Sequence, residues 1–177
     1  RRVLFRSPPE HERTIAPYVE AGGTLAWRPE TSIGGSARLG GGVRAGVLRV
    51  GAVAEWSPSR ALTGLFGDRR MWAMDVSAGL GLAPRPWLDV GARLGLSFRS
   101  YAQDDDPVVS VWVPVLDVGV AAPLPVTSEL RLAPFVDLEA DLRRTELYEE
   151  TGATTKELLG EQAGLQLNGG LGLQWTP

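Results

Sequence analysis

Three acids stand at alternate positions in the C-terminal third of this chain: Asp137, Glu139 and Asp141. Two carboxylates on one face could run acid–base chemistry on a glycosidic bond. Nothing in the spacing selects two of the three, and structural pairing with arginine is the stronger reading. Lipid-modifying and proteolytic sites normally use a histidine base. The only histidine is His11, in a charged, aperiodic N-terminal flank, and there is no cysteine to serve as nucleophile or metal thiolate. The expectation is therefore no catalytic residues, no metal and no cofactor. The run Gly40-Gly41-Gly42-Val43-Arg44-Ala45-Gly46 looks like a phosphate loop but lacks the closing Lys-Ser/Thr and a following helix. Strand glycines that relieve crowding are the better account. Asp104-Asp105-Asp106 reads either as a divalent-ion ligand set or, more simply, as a solvated turn.

The elements that carry these residues are short and strand-like. At 177 residues the chain suits one domain, 14–177, preceded by a flexible flank or linker, 1–13. No apolar run approaches the roughly 18 residues of a membrane helix. The net charge is −3, Lys156 is the only lysine among 18 basic residues, and no basic cluster points to nucleic acid. Eight segments each show one apolar parity: 15–27, 33–43, 47–56, 71–83, 87–99, 109–122, 129–143 and 160–175. A strand sends alternate side chains to opposite faces. In the fifth, Leu88, Val90, Ala92, Leu94, Leu96 and Phe98 share one face, while Asp89, Arg93, Ser97 and Arg99 share the other.

Roughly fifty positions fall on the apolar faces and none is charged, where about eleven charges would fall there by chance. The opposite faces carry Glu20, Arg38, Arg49, Glu55, Asp75, Asp89, Arg93, Arg99, Asp117, Glu129, Arg131, Asp137, Glu139 and Asp141. Alternation alone fits either a soluble sandwich or a barrel in hydrocarbon. Three features favour the barrel. The connections 44–46, 84–86 and 123–127 are short, whereas 57–70, 100–108 and 144–159 are longer, with 28–32 a short exception. Trp27, Trp56, Trp72, Phe98 and Trp112 fall at the loop ends of their apolar faces and Trp175 at the opposite end, as two aromatic girdles require. The polar faces are built of Arg, acids, Gln and Gly, which suits a narrow, filled interior of paired charges. Pro17, Pro114 and Pro134 fall within strands at a cost in ladder donors; bulges or strand ends are the expected remedy.

The closing stretch N-G-G-L-G-L-Q-W resembles the C-terminal recognition signal of bacterial outer-membrane proteins, with Asn168, Gly170, Leu173 and Trp175 in its places and Thr176-Pro177 beyond it. With the strand pattern of 14–175, the chain resembles the small eight-stranded outer-membrane barrels of the OmpA and OmpX type. The resemblance implies an all-β, antiparallel up-and-down barrel, monomeric, in the outer membrane of a Gram-negative bacterium. It also implies periplasmic termini, insertion by the outer-membrane assembly machinery, and outer-membrane lipid and lipopolysaccharide as surroundings. Arg60, Arg69 and Arg70 then become candidates to meet lipopolysaccharide phosphates. The expected role is a non-enzymatic envelope anchor and surface-loop scaffold. The alternative is a narrow channel or transporter of small or apolar solutes.

Overall fold

The structure, a computed structural model, describes residues 15–29, 33–62, 69–103, 106–150, 156–162 and 164–177. Eight long strands form the wall: β1 (Ile15–Trp27), β2 (Gly34–Ala45), β3 (Leu48–Ala61), β4 (Arg69–Arg85), β5 (Leu88–Gln103), β6 (Asp106–Ala121), β8 (Leu130–Asp141) and β11 (Leu165–Trp175). A two-residue strand, β7 (Leu124–Pro125), lies in the connection between β6 and β8, and β9 (Thr145–Glu150) and β10 (Lys156–Gln162) form a separate hairpin. All pairings are antiparallel. Because β11 pairs with both β8 and β1, the sheet closes.

The stagger of that closure can be followed residue by residue. Ile15 faces Ala45, which faces Leu48, then Leu82, Val90, Val120, Val136 and Gly169 in turn. Gly169 faces Leu25, so one circuit climbs β1 from Ile15 to Leu25, a shift of ten residues. Ten residues over eight strands tilt the strands about 40° and set a backbone radius of about 8 Å. Each residue then rises about 2.5 Å along the axis. A wall of that radius holds side chains and little else.

The outward face is predominantly apolar and exposed over most of its area. Ile15, Leu25, Leu39, Leu80 and Leu94 are each at least 60% exposed, and no buried apolar core comparable to them exists among the described residues. Trp27, Trp56 and Trp112 are exposed at the loop end of the wall, with the rings of Trp72 and Phe98 beside them. Phe98 lies 5.3 Å from Trp72 and 5.0 Å from Trp112, centroid to centroid. Trp175 is exposed at the turn end, where Trp87 joins it. From Trp87 to Phe98 is eleven residues, a rise of about 27 Å. That height matches the apolar band of an outer membrane, about 25 Å.

Several expectations are corrected. The final strand begins at Leu165, not Gly160. Residues 156–162 instead pair with 145–150 inside what the sequence suggested was a plain loop. Bulges occur near Ser57/Arg60, Leu82/Arg85 and Tyr101/Ala102, and the ladders run unshifted through all three strand prolines. Each proline sits where its strand is laddered on one side only. Pro17 lies outside the β1–β11 ladder, and Pro114 and Pro134 flank the two ends of the β6–β8 ladder. A missing N–H is tolerated there.

An outward arginine at mid-height must cross hydrocarbon. Leu94→Arg is expected to destabilise the lipid-embedded protein by about 2–4 kcal/mol, and Ile33→Arg at the loop end by about 0–1 kcal/mol. Reversible denaturant unfolding from lipid vesicles measures both; equal effects would contradict the assigned outward face.

Candidate functional site: the charge network in the lumen

The inward positions bring charges from strands far apart in sequence to one axis. Nearest the loop end, Arg99 forks onto Asp141, with Nη1 donating to Oδ2 at 2.6 Å and Nη2 to Oδ1 at 2.5 Å. Its Nη2 is also 3.5 Å from Glu139. Arg28, just past the end of β1, reaches inside the lumen past β11 to the same acids on β8. It donates through Nη2 to Glu139 at 2.6 Å, Nη1 to Asp141 at 3.1 Å and Nε to Gln166 at 2.7 Å. Gln166 in turn donates to Asn168 Oδ1 at 2.7 Å. Arg99 is 0% and Arg28 2% exposed, so both guanidinia are held inside the protein. Beside this tier, Ser36 Oγ donates to Glu55 at 2.5 Å, and Asp75 stands opposite Ser97 in the β4–β5 register. Toward the loops the inward residues become apolar, with Leu62, Met71, Tyr101 and Val111 packed together.

A second tier lies toward the turns. Arg38 donates to Asp137 at 2.5 Å, and Arg93 Nη2 donates to Asp117 and Asp137, each at 2.7 Å. Arg38 stacks 4.4 Å above the Phe135 ring, and Arg49 sits 4.4 Å from the Tyr18 ring. Arg49 donates to Asp89 and, at 3.3 Å, to Glu20, whose other oxygen accepts from Arg38 at 3.4 Å. Below this tier the wall turns to glycine. A cavity of about 120 Å³ opens there between Tyr18, Glu20, Arg49, Asp89 and Gln174, walled by glycines such as Gly51, Gly79 and Gly172.

Of the expected interior charges, Glu20, Arg38, Arg49, Glu55, Asp89, Arg93, Arg99, Asp117, Asp137, Glu139 and Asp141 are brought into these contacts. Asp75 faces inward with one buried oxygen lacking a partner, and Arg131 reaches the turn end of the lumen with Nη1 likewise unpartnered. Glu129, expected inside, is instead exposed beyond the strand end and accepts a hydrogen bond from Trp175 Nε1 at 3.3 Å. Arg60, expected on an outer loop, is buried and directed inward, with Nη1 donating to Ala26 O and Nη2 to Gln166, each at 3.4 Å. Arg28 and Arg60 are the two network members missed from the sequence. Of the candidate end signal, Asn168 points inward and Leu173 and Trp175 outward, while Gly170 leaves the space that the Phe135 ring takes. His11 and Asp104-Asp105 fall outside the described residues. Among those described, no group of three histidines or acids is arranged to hold a metal.

The eight strands thus make a closed antiparallel wall, apolar outside and charged within. No family model matches the chain, and no curated relative matches it. Solved structures do. Neisserial surface protein A aligns at a TM-score of 0.58 and 16% identity, over 91% of this chain and 96% of that one. Ail of Yersinia pestis aligns at 0.52 and 9%, over 92% and 97%. Outer membrane protein AlkL, determined in lipid bilayers, aligns at 0.62 and 9%, over 100% and 97%. The fold is that of the small eight-stranded outer-membrane β-barrels. At these identities the likeness extends to architecture, and the barrel's chemistry has to be argued from its own lumen.

The loop-side tier is the tightest part of that lumen. Arg28→Ala would leave Glu139 only its longer, 3.5 Å contact with Arg99 and weaken Asp141's hold inside the barrel. Losing one partner of a buried pair typically costs about 3–5 kcal/mol. The double change Arg28→Met/Glu139→Leu should cost less than Arg28→Ala alone. Unfolding from vesicles with a double-mutant cycle checks both; a loss below about 1 kcal/mol for Arg28→Ala would contradict the pairing.

Proposed function

We propose that the chain is a non-enzymatic integral barrel of a Gram-negative outer membrane, serving as an envelope anchor and a scaffold for surface loops. One observation carries the reading: two tiers of ion pairs link separate strands inside the lumen, and the buried guanidinium groups of Arg28 and Arg99, from opposite sides of the wall, meet on Asp141 in space that an open channel would fill with water. With Gln166 and Asn168, those side chains satisfy one another, which makes a filled interior stable. The barrel takes the orientation usual for such proteins, with short turns and both termini toward the periplasm and the longer connections outside. Outer-membrane lipid and lipopolysaccharide surround it, the outer-membrane assembly machinery inserts it, and the barrel is monomeric. That the only histidine, His11, precedes the barrel supports a role other than hydrolysis. The similarity to Ail, named as an attachment invasion locus protein, supports a role at the surface without fixing its partner.

The rival reading, a narrow channel or transporter, draws on the cavity at the turn side. Planar-bilayer recording separates the two. The folded protein, identified by heat-modifiable gel mobility, is expected to give no steady unitary conductance. Reproducible unitary currents from the wild-type chain would overturn the filled-lumen reading and favour the channel.

A further inference from the structure

Two lumen arginines stand outside the tiers described above. Arg44 and Arg131 occupy the turn-end rim, Arg44 directly opposite Arg49 in the β2–β3 ladder and Arg131 opposite Gln174 in the β8–β11 ladder. Arg49 and Gln174 both line the cavity, so the two outer arginines sit at its mouth. Arg44 uses its Nε on the carbonyl of Gly46 at 3.0 Å. Among the described residues neither guanidinium is ion-paired to a carboxylate, and Nη1 of Arg131 is buried without a hydrogen-bond partner. Like charges directly opposed across a ladder are destabilising. Asp89, on the cavity wall, gives one oxygen to Arg49 and leaves Oδ1 buried with no donor.

The mouth therefore lacks two different things: negative charge for Arg44 and Arg131, and a hydrogen-bond donor for Asp89 Oδ1. Water supplies the donor but leaves the guanidinia uncompensated. Chloride, sulfate and a carboxylate supply charge but carry no proton at neutral pH. A phosphate that keeps one hydroxyl supplies both, because its oxygens accept from arginine forks while its P–OH donates. We propose that the turn-end mouth of the lumen is a binding site for a hydrogenphosphate group, with Arg44 and Arg131 donating to its oxygens and Asp89 Oδ1 accepting its proton. A cavity of about 120 Å³ behind the rim leaves room for the group and its remaining waters. The site is independent of the anchor reading. It would hold equally in a barrel that conducts.

The group could arrive as free phosphate or as a phosphomonoester lipid headgroup, and titration calorimetry on the detergent-folded full chain distinguishes them. Inorganic phosphate at neutral pH is one arm, dihexanoyl phosphatidic acid the second, and sulfate at matched ionic strength the comparator. Saturable binding by either phosphate, about tenfold or more tighter than sulfate, is expected, and the arm that binds names the source. Arg131→Gln should weaken it about tenfold or more, since it removes hydrogen bonds to a charged group. Arg131→Lys keeps the charge but loses the fork and should weaken it less, which preserves the test if the Gln variant folds poorly. Arg143→Gln, at the loop end, should leave binding unchanged. Equal binding of phosphate and sulfate, no binding in either arm, or an Arg131→Gln variant that binds like wild type would overturn the site.

Discussion

The structure depends on one constraint: inside hydrocarbon, every backbone N–H and C=O must be satisfied by the protein itself. Pairing β11 to β1 on one side and β8 on the other removes both sheet edges at once. The ten-residue stagger that permits this closure also fixes the radius, and the radius fixes what the lumen can contain. About 8 Å from axis to backbone is short enough for an arginine on one wall to reach an acid on another. Arg28 on β1's side meets Glu139 on β8, and Arg93 on β5 meets Asp137 on β8. The network is thus a consequence of closure. In a wider barrel the same side chains would face water.

Within that cylinder, glycine decides where the long side chains go. The Tyr18 hydroxyl lies where a side chain on Gly51 would be, the Asp137 carboxylate where one on Gly119 would be, and the Phe135 ring against Gly170. Arg38 then stacks on Phe135 and Arg49 on Tyr18, so the guanidinia are steered by ring faces as well as by acids. The loop half uses large residues on most strands and is filled. The turn half places glycines on several neighbouring strands and keeps a cavity. The lumen is therefore asymmetric along its axis, and its two ends are suited to different chemistry.

The sequence showed most of this through parity. Ala92, Leu94 and Leu96 outward with Arg93 and Ser97 inward needed only the two-residue period of a strand. Parity also shows where reading along the chain stops. Arg28 follows the inward rhythm of Thr24 and Ala26, and extending β1 by one residue past Trp27 would have placed it in the lumen. Arg60 could not be found this way, because the bulge after Ser57 shifts the register and moves the inward positions from odd to even. Glu129 fails in the opposite sense: its parity is inward, but the strand has ended and the wall no longer holds it. Which acid meets which arginine depends on the shear, a property of all eight strands together, and no single segment displays it.

The exposure of the apolar faces decides between hydrocarbon and water outside the wall. A soluble sandwich also alternates, but it packs its apolar faces together. Here Trp27, Leu94 and Leu171 are 49%, 62% and 50% exposed, and Leu94 on β5 stands across the cylinder from Trp27 on β1 and Leu171 on the adjoining β11. Burying one such side chain is worth about 1.5–3 kcal/mol. In water a surface built of these residues would drive aggregation, and among the described residues no second apolar layer covers it. The buried interior offers too little in exchange, since buried ion pairs give weak net stabilisation. Hydrocarbon removes the difficulty, because there the apolar wall is the solvated face. The aromatic groups at its two ends, about 27 Å apart along β5, mark where that solvent stops.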